Sequence, residues 1–131
     1  MSAAQPLRHV SRADLSDETA QTAGMRRRAA VSASMTGASA LWMGETVVAP
    51  GTASGPHHHG ASETAIFVVS GRPEFHYRAG GRIERIATEP GDFVFVPPHV
   101  PHVEANPHDE EAVVVIARST QEAIVENLDE L

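Results

Sequence analysis

Apolar and polar positions alternate over short runs, and the runs stop at Gly, Pro, Asn or Asp. This two-residue period is the mark of strands with one buried face. Residues 25–34 have strand character around Arg28-Ala29-Ala30-Val31, and Thr36-Gly37 turns the chain. Residues 41–49 read as a strand that Gly44 weakens or bulges, ended by Pro50-Gly51. Residues 63–70 are dense in β-branched side chains. Residues 73–78 and 82–88 make a hairpin, because the Gly80-Gly81 pair supplies the positive φ of a tight turn. Further strands are expected at 93–96, 101–105, 112–117 and, more exposed, 122–127. About eight short strands, with turn signals roughly every 8–12 residues and no strong helical period, predict an all-β sandwich or barrel. Phe67, Phe93, Phe95 and Trp42 are expected in its core.

Residues 1–24 are rich in Ala, Ser, Gln and Thr and lack a period. They read as an N-terminal arm, with a short helical turn within 14–21, laid over the domain or over a partner subunit. Residues 25–131 then form a single barrel domain, the size expected of a 131-residue chain. The N-terminus shows no apolar core of the signal-peptide kind, and no apolar run approaches the roughly 20 residues of a membrane helix. A cytoplasmic location without membrane contact is expected.

Charge and composition narrow the chemistry. The net charge of −7 disfavours nucleic acid as a partner. The one basic cluster, Arg26-Arg27-Arg28, reads as a solvated or salt-bridged strand start. The chain has no cysteine, which excludes disulfides and thiolate metal ligands. All ten basic residues are arginine, which excludes Schiff-base and P-loop lysines.

Imidazole and carboxylate remain as metal donors, and they cluster. His57, His58, His59 and Glu63 lie within seven positions. On an extended segment His57 and His59 share a face and His58 points away. An i, i+2 histidine pair with a nearby carboxylate suits Fe, Mn, Ni, Co, Cu or Zn. His102, beyond the Pro97-Pro98 break, is the best candidate for a further ligand.

The two segments resemble the paired motifs of the cupin superfamily. The first runs from Gly51 through His57-x-His59 and Glu63 to Gly71; the second runs from Gly91 through Pro97 and His102 to Asn106. The resemblance covers roughly residues 40–117 and implies a jelly-roll (double-stranded β-helix) barrel. It also implies one divalent transition metal per chain, held by His57, His59, Glu63 and His102. Two departures stand out. His99 occupies the place of a customary glycine, which is tolerable if that turn needs no positive φ. Seven residues, where the motif has six, separate Glu63 from Gly71. Either a bulge near residues 62–65 turns Glu63 inward, which is the favoured reading, or Thr64 takes that place and the site is three histidines plus water.

The resemblance further implies a mononuclear metalloenzyme acting on a small organic molecule, with dioxygenase-like oxidation first and Glu63 as a catalytic base. A non-catalytic small-ligand or metal-binding protein and a metal-dependent isomerase or lyase are the alternatives. A homodimer is expected, since small cupins commonly pair.

Overall fold

A computed structural model describes residues 5–131. Eleven strands run in chain order: β1 Met25–Val31, β2 Trp42–Val48, β3 Thr52–Ala53, β4 His57–His58, β5 Thr64–Ser70, β6 Glu74–Ala79, β7 Arg82–Ala87, β8 Phe93–Val96, β9 His102–Asn106, β10 Ala112–Arg118 and β11 Glu126–Asn127. One helical turn, α1 Ala33–Thr36, follows β1. All strand pairings are antiparallel, in two sheets ordered β1-β2-β10-β5-β8 and β11-β4-β9-β6-β7, with β3 added beside β9. This is the jelly-roll architecture. Among the described residues no helix is long and apolar enough to cross a membrane.

The alternation read from the sequence is what fills the interior. On β2, β5 and β10 every second side chain is buried. Trp42, Ile66, Val68, Val114 and Ile116 from the first sheet pack with Phe75 of the second. Complete burial of a Val or Ile side chain contributes about 1.5–3 kcal/mol.

The same rule corrects three aromatic assignments. β8 is an edge strand whose inward positions are Val94 and Val96, so Phe93 and Phe95 point out, 79 % and 58 % exposed. Trp42 is buried as expected, and Phe67 stacks against Phe93 on the outer surface. Gly71 lies at φ +77°, and a Cβ there would meet the backbone of Ala112 at 2.7 Å. Only glycine fits this turn.

Bulges set the parity of the strands. Gly44 itself is not bulged. The irregularity lies in its partner β1, between Ala29 and Val31. A second bulge lies near the end of β5: Val113 pairs with Ser70 and Val114 with Val68, which leaves Val69 over. The extra residue before Gly71 is therefore absorbed at the far end of the strand.

The arm lies along the free edge of β1. Its helical turn falls at Arg12–Asp14, earlier than expected, and Ser16 then exchanges two backbone hydrogen bonds with Ala29. Gln21 mimics a strand residue: its Nε2 donates to the carbonyl of Arg27, and its Oε1 accepts from the Arg27 N–H at 2.8 Å. An edge strand leaves such groups unpaired, and the arm satisfies them.

Candidate metal centre

His57 on β4 lies opposite His102 on β9 in the antiparallel register. His59 follows one residue after β4 with the parity of His57. The three rings converge, with centroids 4.5 Å apart for His57–His102, 4.9 Å for His57–His59 and 5.0 Å for His59–His102. One ligand nitrogen from each lies within 4.8 Å of the other two.

Backbone carbonyls orient all three rings. Nδ1 of His57 sits 2.7 Å from the Gly55 carbonyl, Nδ1 of His59 2.8 Å from that of Ile124, and Nδ1 of His102 3.0 Å from that of Val100. A carbonyl only accepts, so each Nδ1 carries the proton and each Nε2 keeps a free lone pair. Burial pushes all three imidazoles below their ordinary value, His102 to about 4. They are neutral near pH 7, the form that binds a metal. Three neutral, pre-oriented imidazoles could hold a divalent transition ion.

Glu63 does not join them. It is exposed, while Thr64 beside it is buried and faces the cavity. With the bulge at Val69, residues 64, 66 and 68 keep one inward parity, which sends residue 63 outward. Its backbone is pinned there as well: the Glu63 N–H donates to Ser119 Oγ, and the Ser119 N–H donates to the Glu63 carbonyl. The structure thus places Glu63, for which the resemblance implied the roles of ligand and catalytic base, outside the trio. Among the described residues, the grouped donors are histidines alone.

His58 turns away from the trio. Its Nδ1 accepts from the Gly60 N–H, and its ring meets His99 edge-on at 5.8 Å. His99 lies at φ +63°, so the turn does need the left-handed region and a histidine occupies it. Its N–H donates to the Gly60 carbonyl at 2.7 Å, tying the two histidine-bearing loops together. Asn106 is fully buried, and its Nδ2 donates to the carbonyls of Val48, Ala49 and Glu110, fixing the end of β9.

The trio opens into a cavity of about 350 Å³. Ile66, Val96 and Ile116 form apolar wall, and residues 123–125 pass across it. Three charged residues missed by the sequence reading also line it: Arg27, Glu104 and Arg118. Arg27 stands between inward-facing Met25 and Ala29, and that alternation was its available signal. Glu104 follows His102 by two residues on the same strand face. It is buried, its Oε1 has no hydrogen-bond partner among the described residues, and burial pushes its carboxyl up.

The sequence matches the family described as Cupin domain over residues 44–118. No curated protein sequence matches it. Among solved structures the chain is similar to oxalate decarboxylase of Bacillus subtilis, with TM-score 0.71 and 20 % identity over 85 % of this chain. It is also similar to an oxalate oxidase in complex with the substrate analogue glycolate, with TM-score 0.70 and 17 % identity over 86 % of this chain. A third is peruvianin-I, a cysteine peptidase from Thevetia peruviana latex, with TM-score 0.69 and 16 % identity over 82 % of this chain. The chain spans 30 %, 59 % and 69 % of those three chains respectively. At these identities the likeness is one of fold.

Proposed function

Since the chain belongs to the cupin family, we propose that it is a mononuclear metalloenzyme oxidising a small organic substrate with dioxygen. The observation that carries this reading is the set of three Nδ1–carbonyl bonds, which leave each Nε2 lone pair free in a group whose ligand nitrogens lie within 4.8 Å of one another. The fold likeness adds support of a weaker kind: B. subtilis oxalate decarboxylase has Mn(II) centres, and oxalate oxidase is a redox enzyme by its name.

His57, His59 and His102 would hold the ion. When bound, it supplies a Lewis-acidic centre that polarises a substrate oxygen and, if redox-active, a route for electrons to dioxygen. The chain's own residues do the rest. The carbonyls of Gly55, Val100 and Ile124 keep the imidazoles in one tautomer and orientation. Ile66, Val96 and Ile116 exclude water from one side of the cavity. Arg27, Arg118 and Glu104 provide polar groups that orient a substrate.

The test is elemental analysis of tag-free protein, purified without a nickel column, followed by oxygen uptake with a panel of diols, enols, diketones and organic acids. The expected result is a stoichiometric transition metal, lost in His57→Ala and His102→Ala, and oxygen consumption with a subset of the panel. Less than about a tenth of a metal per chain would overturn the metal reading. Full metal without turnover on any substrate would make the protein a metal-binding module.

A further inference from the structure

We infer that the cavity beside the three histidines takes a small organic acid, its carboxylate held by Arg27 and Arg118. This deepens the metalloenzyme reading. It rests on that reading for the acid's orientation but not for its binding.

The first ground is the contrast between outward and inward arginines. Arg12, Arg26, Arg28, Arg82 and Arg85 each meet a carboxylate within 3.4 Å. Arg27 and Arg118 meet none among the described residues, in a chain with seventeen acidic residues. Both line the cavity. Both are partly buried; a guanidinium partly withdrawn from water without an ion-pair partner is disfavoured, and an acid entering the cavity would relieve that.

Both guanidiniums are already positioned. Arg27 is fixed from the arm: Gln21 clasps its backbone, and its Nη1 donates to Thr22 Oγ1 at 2.7 Å. Arg118 lies over the Trp42 ring, 4.1 Å from its centroid. Its Nε and Nη2 donate to the carbonyls of Thr120 and Gln121, which leaves Nη1 for a ligand. In the sheet register Arg118 stands opposite both Trp42 and Thr64, on a row that continues to Val96 of the cavity wall. Burial, and then the charge of Arg27, push the Arg118 guanidinium down.

The second ground is the donor set. Thr64 occupies the inward position expected of a carboxylate ligand, so the protein brings no anionic oxygen to the trio. The one carboxyl in the wall, Glu104, makes no ion pair with Arg27, and its buried Oε1 is unpartnered. A bound acid supplies what the trio and the guanidiniums both lack, an anionic oxygen.

The test is calorimetric titration of tag-free protein, metal-stripped and zinc-loaded, with malonate, its neutral analogue malonamide and inorganic phosphate. Malonate should bind both forms, and malonamide about tenfold more weakly or less. Arg27→Gln should weaken malonate about tenfold or more while zinc uptake is unchanged, with exposed, Asp17-paired Arg26→Gln behaving as wild type. Arg118→Gln should do the same; if that variant melts early, Arg27→Gln decides. Equal binding of malonate and malonamide, or no effect of Arg27→Gln, would overturn the inference. Tighter binding of phosphate than of malonate would overturn its assignment to carboxylates. Zinc uptake without discrimination between malonate and malonamide would overturn this inference and leave the metal reading intact. Arg27-dependent malonate binding without zinc uptake would do the reverse.

Discussion

His57 and His102 face one another across β4 and β9, forty-five positions apart in sequence, with ring centroids 4.5 Å apart. Each is oriented by a carbonyl two residues before it, Gly55 for one and Val100 for the other. Replacing either by alanine removes one of three donors and leaves its loop anchor unused. Metal affinity should fall by about 100-fold or more, measured by competition with a chelator. The fold should persist, since neither ring belongs to the apolar cluster.

Glu63→Gln should leave metal content and affinity unchanged, because the side chain is exposed and outside the trio. Thr64→Glu is the informative partner. It places a carboxylate on the inward parity beside the histidines and should tighten metal binding, at some cost in stability to the metal-free protein. Competition titrations of both variants check this; loss of metal in Glu63→Gln would mean that the loop rearranges around the ion.

His99→Gly should raise the melting temperature. Its φ of +63° strains an L-residue by about 1–2 kcal/mol, and glycine removes that at an unfolded-state cost of about 0.5–1 kcal/mol. His99→Val should lower the melting temperature, since β-branching disfavours this region. Thermal denaturation of both variants decides it.

Acid sensitivity should depend on Glu74. This buried carboxylate accepts two hydrogen bonds from Arg85, at 2.7 and 2.8 Å, which with a weaker bond from His76 hold its pKa below the ordinary 4.5. A group depressed on folding contributes stability that is complete above its unfolded pKa and is lost as pH falls through the folded value. Glu74→Gln should therefore melt a few degrees lower near pH 7, with the difference shrinking below pH 4.5. Melting curves between pH 3 and 7 test it; a constant difference would remove the ion pair from the account. Arg85 is largely exposed, so salt should blunt the effect.

The exposed edge strand β8 bears on assembly. Phe93 and Phe95 stand on its outer face beside Phe67, and its far side is unpaired in the sheet. A homodimer in which two such edges meet would cover them. Sedimentation should then show a dimer for the wild type and a monomer for Phe93→Ser/Phe95→Ser. A wild-type monomer would refute the pairing.

The strands and the histidine trio were legible because both depend on a two-residue period and on local spacing. Residues 93–96 were placed correctly as a strand, yet its aromatics were assigned to the wrong face. A period of two gives the alternation but not its phase, and the phase here follows from β8 lying at an edge. The choice between Glu63 and Thr64 stayed open for a related reason. One extra residue before Gly71 announces a bulge, but only the register against β10 locates it at Val69. Arg27 was hidden in a run of three arginines that reads as surface; its neighbours do pair with carboxylates, and it does not. The two-residue strands β3 and β4, and β11 within a longer expected strand, are too short to carry a period.

The bond from His59 to the Ile124 carbonyl bridges 65 positions of sequence, whereas His57 and His102 take their carbonyls from their own loops. β11 then pairs with β4, and the Leu128 N–H donates to the Pro56 carbonyl. During synthesis, two imidazoles can acquire their orientation as soon as their loops form. The third waits for a segment made much later. Orientation of the third imidazole thus depends on the C-terminal segment, and a barrel lacking residues 122–131 would meet a metal with two oriented donors and one free to rotate.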